Sequence, residues 1–153
     1  MPSRHRHRLI LAGLALLLAA GLVFWWWAGG EGRADPDDRA QVALGRTVYE
    51  RHCASCHGAQ LEGQPDWRER LPNGRMPAPP HDVSGHTWHH PDEVLFGITK
   101  HGIERYAPAG YKSDMPAFAE VLSDAEIWAV LAYIKSNWPK AVQERQAGMS
   151  VRR

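Results

Sequence analysis

The sequence predicts an all-α domain, and three observations carry that prediction. Apolar residues recur at helical spacing in three separate stretches after residue 35. No stretch alternates apolar and polar residues for long enough to form a strand. The segments in between are long and rich in glycine and proline, above all residues 58–85, which contain NGRMPAPPHDVSG. A loop of that length in a small domain is usually functional or wrapped around something.

Before the domain comes a segment of different character. Residues 1–8 are basic, with Arg4, Arg6 and Arg8, and residues 9–28 read LILAGLALLLAAGLVFWWWA without a charge. As a helix these span about 30 Å, the thickness of a bilayer's hydrocarbon core. Trp25, Trp26 and Trp27 close the run, as suits an interface. A long signal peptide is the alternative. Signal cores usually run about 7–15 residues, however, and Gly32-Arg33-Ala34 is a poor cleavage site. The expectation is a single-pass anchor in a bacterial-type inner membrane, with its basic end cytoplasmic and the domain on the periplasmic face. Residues 29–37 read as a linker. Residues 35–153 carry 14 Lys and Arg against 16 Asp and Glu. That balance lacks the basic patch a nucleic-acid partner requires.

The helices follow in order. Asp35-Pro36 resembles an N-cap with proline at the first helical position. Val42, Gly45, Val48 and Tyr49 then share a face, so a helix is expected over about 36–52. Glycine inside a helix costs roughly 1 kcal/mol relative to alanine; Gly45 is either tolerated or a point of close helix crossing. Pro91 opens a short helix to about residue 101, with Val94, Leu95 and Ile98 on one face and Gly102 as its stop. Ser123-Asp-Ala-Glu126 is a capping-box pattern. The helix it opens buries Ile127, Val130, Leu131 and Ile134 and ends at Asn137–Pro139. Residues 139–153 read as a polar tail, either a frayed helix or irregular.

The chain's two cysteines sit in CASCH, as Cys53 and Cys56 followed by His57. Three chemistries use such spacing. A thioredoxin-like dithiol needs a βαβ setting, which is missing, and gives His57 no role. A zinc site needs four ligands and would have to borrow from His86, His89 and His90. C-x-x-C-H is also the attachment pattern of c-type haem: two thiols reach the two vinyl groups of one macrocycle, and the adjacent histidine falls beneath the iron. An export segment and a small domain with long loops suit the third chemistry best.

With CASCHG and the segment DMPAFAEVLSDAEIWAVLAYIKS, residues 38–138 resemble the class I monohaem cytochrome c family. The resemblance implies a fold of about 3–5 helices, with loops wrapped around one covalently bound haem c. It implies thioether bonds at Cys53 and Cys56, His57 as proximal ligand and Met115, in the Met-Pro pair, as sixth ligand. A carbonyl from Pro79 or Pro80 would accept the His57 ring N–H. Gly45 and Tyr49 would cross the last helix at Val130 and Tyr133. Met76, His81, His86, His89, His90 and His101 compete with Met115 for the distal position. The activity implied is one-electron transfer between redox proteins, without substrate catalysis. The alternatives are a fixed subunit of a larger oxidoreductase, a haem sensor, or a metal carrier using the cluster HTWHH at 86–90.

Overall fold

The computed structural model describes residues 32–150. The basic segment 1–8, the expected anchor 9–28, the start of the linker and residues 151–153 lie outside these. Among the described residues no helix is long and apolar enough to cross a membrane.

The first helix, α1, spans Arg39–His52. Its cap is Asp38, whose carboxylate accepts from the backbone N–H groups of Ala40 (2.9 Å) and Gln41 (3.1 Å). The expected cap, Asp35, instead accepts from Asp37 N–H, and Asp38 N–H reaches back to Asp35 O. Asp35 to Asp38 therefore close a turn that holds Pro36, and the acid nearest the apolar periodicity takes the cap. Upstream, Gln41 grips the chain from both ends of its amide: Nε2 donates to Arg33 O, and Oε1 accepts from Asp35 N–H. Ala34 is thereby held in the core.

A single turn, α2 (Ala54–His57), follows α1 directly. The long loop then runs to a 3₁₀ turn, Thr87–His89, and to α3, Asp92–His101. Pro91 caps α3 rather than occupying its first turn, and Gly102 ends it at φ +85°. After a 3₁₀ turn at Ile103–Arg105 comes α4, Asp124–Ser136, opened by the expected capping box between Ser123 and Glu126. Ile127, Val130, Leu131 and Ile134 are all buried, and Trp128 with them. The described residues contain no strand, only an isolated bridge between Met76 and Ser113.

Helices α1 and α4 form the heart of the domain. A methyl group on Gly45 would sit 1.9 Å from Ala129 O and 2.9 Å from Tyr133 Cβ, so only glycine lets the backbones approach this closely. Tyr133 is a partner as expected, its ring 5.3 Å from that of Tyr49; the Ala129 carbonyl is the nearest group to Gly45, and Val130 is buried in the same core. Phe96 of α3 stacks on Trp128 of α4 with ring centroids 4.4 Å apart.

The tail forms a fifth described helix, α5, Lys140–Ser150. It is fastened by polar bonds. Lys135 on α4 makes a buried ion pair with Asp92 at the start of α3 (2.8 Å), and Gln146 of α5 donates to the same carboxylate (2.6 Å) and to His90 O. Ser150 Oγ accepts from Asp92 N–H. Gly32 and Arg33 face Ala147 and Ser150 across one small cavity.

Candidate functional site

The site is built around the turn that links α1 to the loop. Tyr49, fully buried, donates its hydroxyl to Gly58 O (2.9 Å) and lies 3.3 Å from His57 O. Burial, together with neighbouring Cys53, raises the Tyr49 pKa far above the usual phenol range, so the hydroxyl keeps its proton and stays a donor. Cys53 is half-buried and Cys56 exposed, both as free thiols. Burial, with Cys56 alongside, pushes Cys53 up to about 11.

His57 is 7% exposed, and its Nδ1 lies 2.8 Å from Pro79 O. A carbonyl can only accept, so Nδ1 carries the proton and Nε2 carries the lone pair. Burial lowers the His57 pKa, opposed by the Pro79 bond, and the ring is neutral at pH 7. A neutral imidazole with one nitrogen anchored and the other free is the donor a metal requires. Two thiols on the same turn complete a donor set that fits haem c.

Pro79, not Pro80, supplies the carbonyl, and Gly63 explains how. Gly63 N–H donates to His57 O (2.8 Å), and at φ +71° its absent side chain leaves room for the Pro79–Pro80 peptide, which a Cβ would meet at 2.4 Å. The only sequence signal for this role was a glycine in an aperiodic loop.

The loop bearing Met115 is joined to the one bearing Met76. Met76 N–H donates to Lys112 O, and Arg75 bonds both Ser113 O and the Asp114 carboxylate. Met115 is half-buried and packs against the hydrophobic core, with which Met76 is not associated.

The histidines separate. His81 stacks on the face of His57, ring centroids 3.9 Å apart and planes 18° from parallel. Lying against the ring face, His81 does not stand opposite Nε2, where a second ligand to the same metal would have to come from. Its Nδ1 is buried without a hydrogen-bond partner, which costs on the order of 1–3 kcal/mol. Burial, reinforced by His57 and His86, holds His81 neutral, well below the usual imidazole range. His86 stacks on Trp67 and His89 on Trp88, with Arg145 of α5 over the Trp88 ring. Among the described residues no group of three or more His, Cys, Asp or Glu side chains is placed to hold a metal ion. HTWHH forms a turn at the entry to α3, with His86 and His89 exposed.

Residues 42–138 match the family model described as Cytochrome c. The chain is 31% identical over 97 residues to a Cbb3-type cytochrome c oxidase subunit CcoP of Azospirillum brasilense, covering 63% of this chain but 28% of that subunit. It is 32% identical over 71 residues to cytochrome c-555 of Prosthecochloris aestuarii, covering 42% of this chain and 72% of that protein. No solved structure matches it significantly. The chain belongs to the cytochrome c family, whose members bind haem c covalently and carry electrons.

Proposed function

We propose that this protein is a membrane-anchored electron carrier with a single haem c, relaying one electron at a time between a redox donor and a redox acceptor. Cys53 and Cys56 would hold the haem as thioethers, His57 would bind the iron through Nε2 and Met115 through its sulfur. When bound, the haem iron supplies reversible one-electron chemistry. The observation that carries the reading is the His57 Nδ1–Pro79 O bond, which fixes the tautomer and leaves the Nε2 lone pair available to a metal. The half-buried position of Met115 against the core supports it as the second axial ligand. Held by His57 and Met115 together, the iron would offer no place for a substrate to bind. The exposure of Cys56 against the burial of His57 marks the edge where the site meets solvent, and there a partner would dock in a small, transient contact. Residues 9–28 would hold the domain at the periplasmic face of the inner membrane, raising its effective concentration near membrane-bound partners.

A redox titration followed by absorption spectroscopy tests the ligand set. Wild-type protein should be low-spin with a methionine-to-iron charge-transfer band. Met115→Ala should lower the potential and open the iron to external ligands, whereas an unchanged spectrum would remove Met115 from the site. Replacing Cys53 and Cys56 together by serine should abolish haem that survives a denaturing gel. Deleting residues 1–30 should release the protein from membranes.

The similarity to CcoP favours a second reading, a fixed cytochrome subunit of a larger oxidoreductase. Stoichiometric co-purification with membrane partners through detergent and high salt would support it over the shuttle.

A further inference from the structure

We propose that His81 is a positioning residue for His57: its ring, stacked on the proximal imidazole, sets the plane that imidazole adopts at the iron. The inference rests on the haem reading and concerns a residue that the attachment motif does not include.

Two restraints are needed to fix a histidine ring. The Pro79 carbonyl holds Nδ1 at 2.8 Å, but a single hydrogen bond leaves the ring free to rock about the bond's axis. The second restraint is a flat surface on one face, and His81 provides it at a centroid distance of 3.9 Å and an interplanar angle of 18°. His81 is itself held firmly. Its N–H donates to Leu61 O (2.8 Å), its carbonyl accepts from the indole of buried Trp138 (2.8 Å), and Tyr49 meets its ring edge-on at 6.0 Å. Trp138 lies just past the end of α4, so the plane of His57 is referred to the α1–α4 core and not only to the loop.

The choice of residue points the same way. An apolar side chain would fill this position without burying a nitrogen that finds no partner, yet the chain keeps an imidazole there at a cost in stability. A planar aromatic ring gives a parallel face that a branched aliphatic chain cannot. Neighbours of this kind orient a metal-bound histidine and tune its donor strength.

The test uses full-length, haem-loaded protein with His81→Leu and His81→Phe. Proton NMR of the oxidised protein gives the order of the haem-methyl shifts, which reports the imidazole plane, and a redox titration gives the potential. His81→Leu should reorder the methyl shifts and change the redox equilibrium constant several-fold, up to the tenfold that corresponds to about 59 mV. His81→Phe, which restores a flat face, should return both towards wild type. Should His81→Leu fail to mature, His81→Met makes the same comparison. Methyl order and potential unchanged in the aliphatic variants, or altered equally in His81→Phe, would overturn the proposal. Wild-type protein lacking covalent haem would overturn the haem reading as well, so the two failures are distinguishable.

Discussion

At the scale of single residues, the attachment turn depends on groups outside the five-residue motif. Tyr49 comes four positions before Cys53, yet its hydroxyl satisfies the Gly58 carbonyl just after His57. Tyr49→Phe keeps the ring in the core and removes the shorter of the two bonds that carbonyl accepts, leaving only Leu61 N–H at 3.3 Å. We expect a loss of about 1–2 kcal/mol in denaturant unfolding, with little change in secondary structure by circular dichroism. CASCH itself was legible because its chemistry is local: spacing alone puts two thiols and an imidazole on one turn. The supports of His57 are not local: the family resemblance offers the Pro79 or Pro80 carbonyl, and nothing offers the His81 ring. Pro79 follows it by 22 residues and His81 by 24, and nothing in local spacing says that an aperiodic loop returns there. His81 was visible in the sequence only as one histidine among many, since stacking depends on tertiary placement.

At the scale of elements, the helices with an apolar face were readable and their ends less so. The start of α1 lies three residues beyond the expected one, because a row of aspartates offers more than one cap and the turn around Pro36 claims the first. Gly45, ambiguous by propensity, is decided by its neighbour. Gly45→Ala would drive a methyl group into the Ala129 carbonyl, a backbone atom that cannot step aside. The predicted cost is about 3 kcal/mol, at the upper end for overpacking, read from chemical denaturation. At α4, Ser123→Ala should cost about 1 kcal/mol by the same measurement. It should also change the acid limb. The Ser123 hydroxyl and N–H lower the Glu126 pKa, so this stabilisation is present above the ordinary glutamate range and is lost as pH falls through Glu126's own, lower value. Ser123→Ala should therefore lose less stability than wild type as pH falls below the ordinary glutamate value of about 4.3.

At the scale of the whole molecule, α5 is the element the sequence left open, as a frayed helix or an irregular tail. Its composition is polar, and what holds it is a buried network rather than an apolar stripe: Asp92, Lys135 and Gln146 come from three helices and meet out of water. Helical periodicity in hydrophobicity cannot report such an attachment. Lys135→Met should cost about 3 kcal/mol in thermal or denaturant unfolding, because it strands the Asp92 carboxylate in the interior. Replacing both, as Asp92→Leu with Lys135→Met, should recover much of that loss, since the desolvation penalty leaves with the pair. A double variant less stable than Lys135→Met alone would show that the network contributes more than mutual neutralisation.

The cavity shared by Gly32, Arg33, Ala147 and Ser150 has a consequence for how such a domain is reused. The path into the domain and the path out of it lie side by side, with Asp37 and Lys140 paired at 2.6 Å nearby. A unit whose entrance and exit adjoin can be spliced into a longer chain as a side branch without prising its host apart, and a short connector between residues 150 and 32 could close it into a ring. The adjoining ends thereby leave the body of the fold free of either connection.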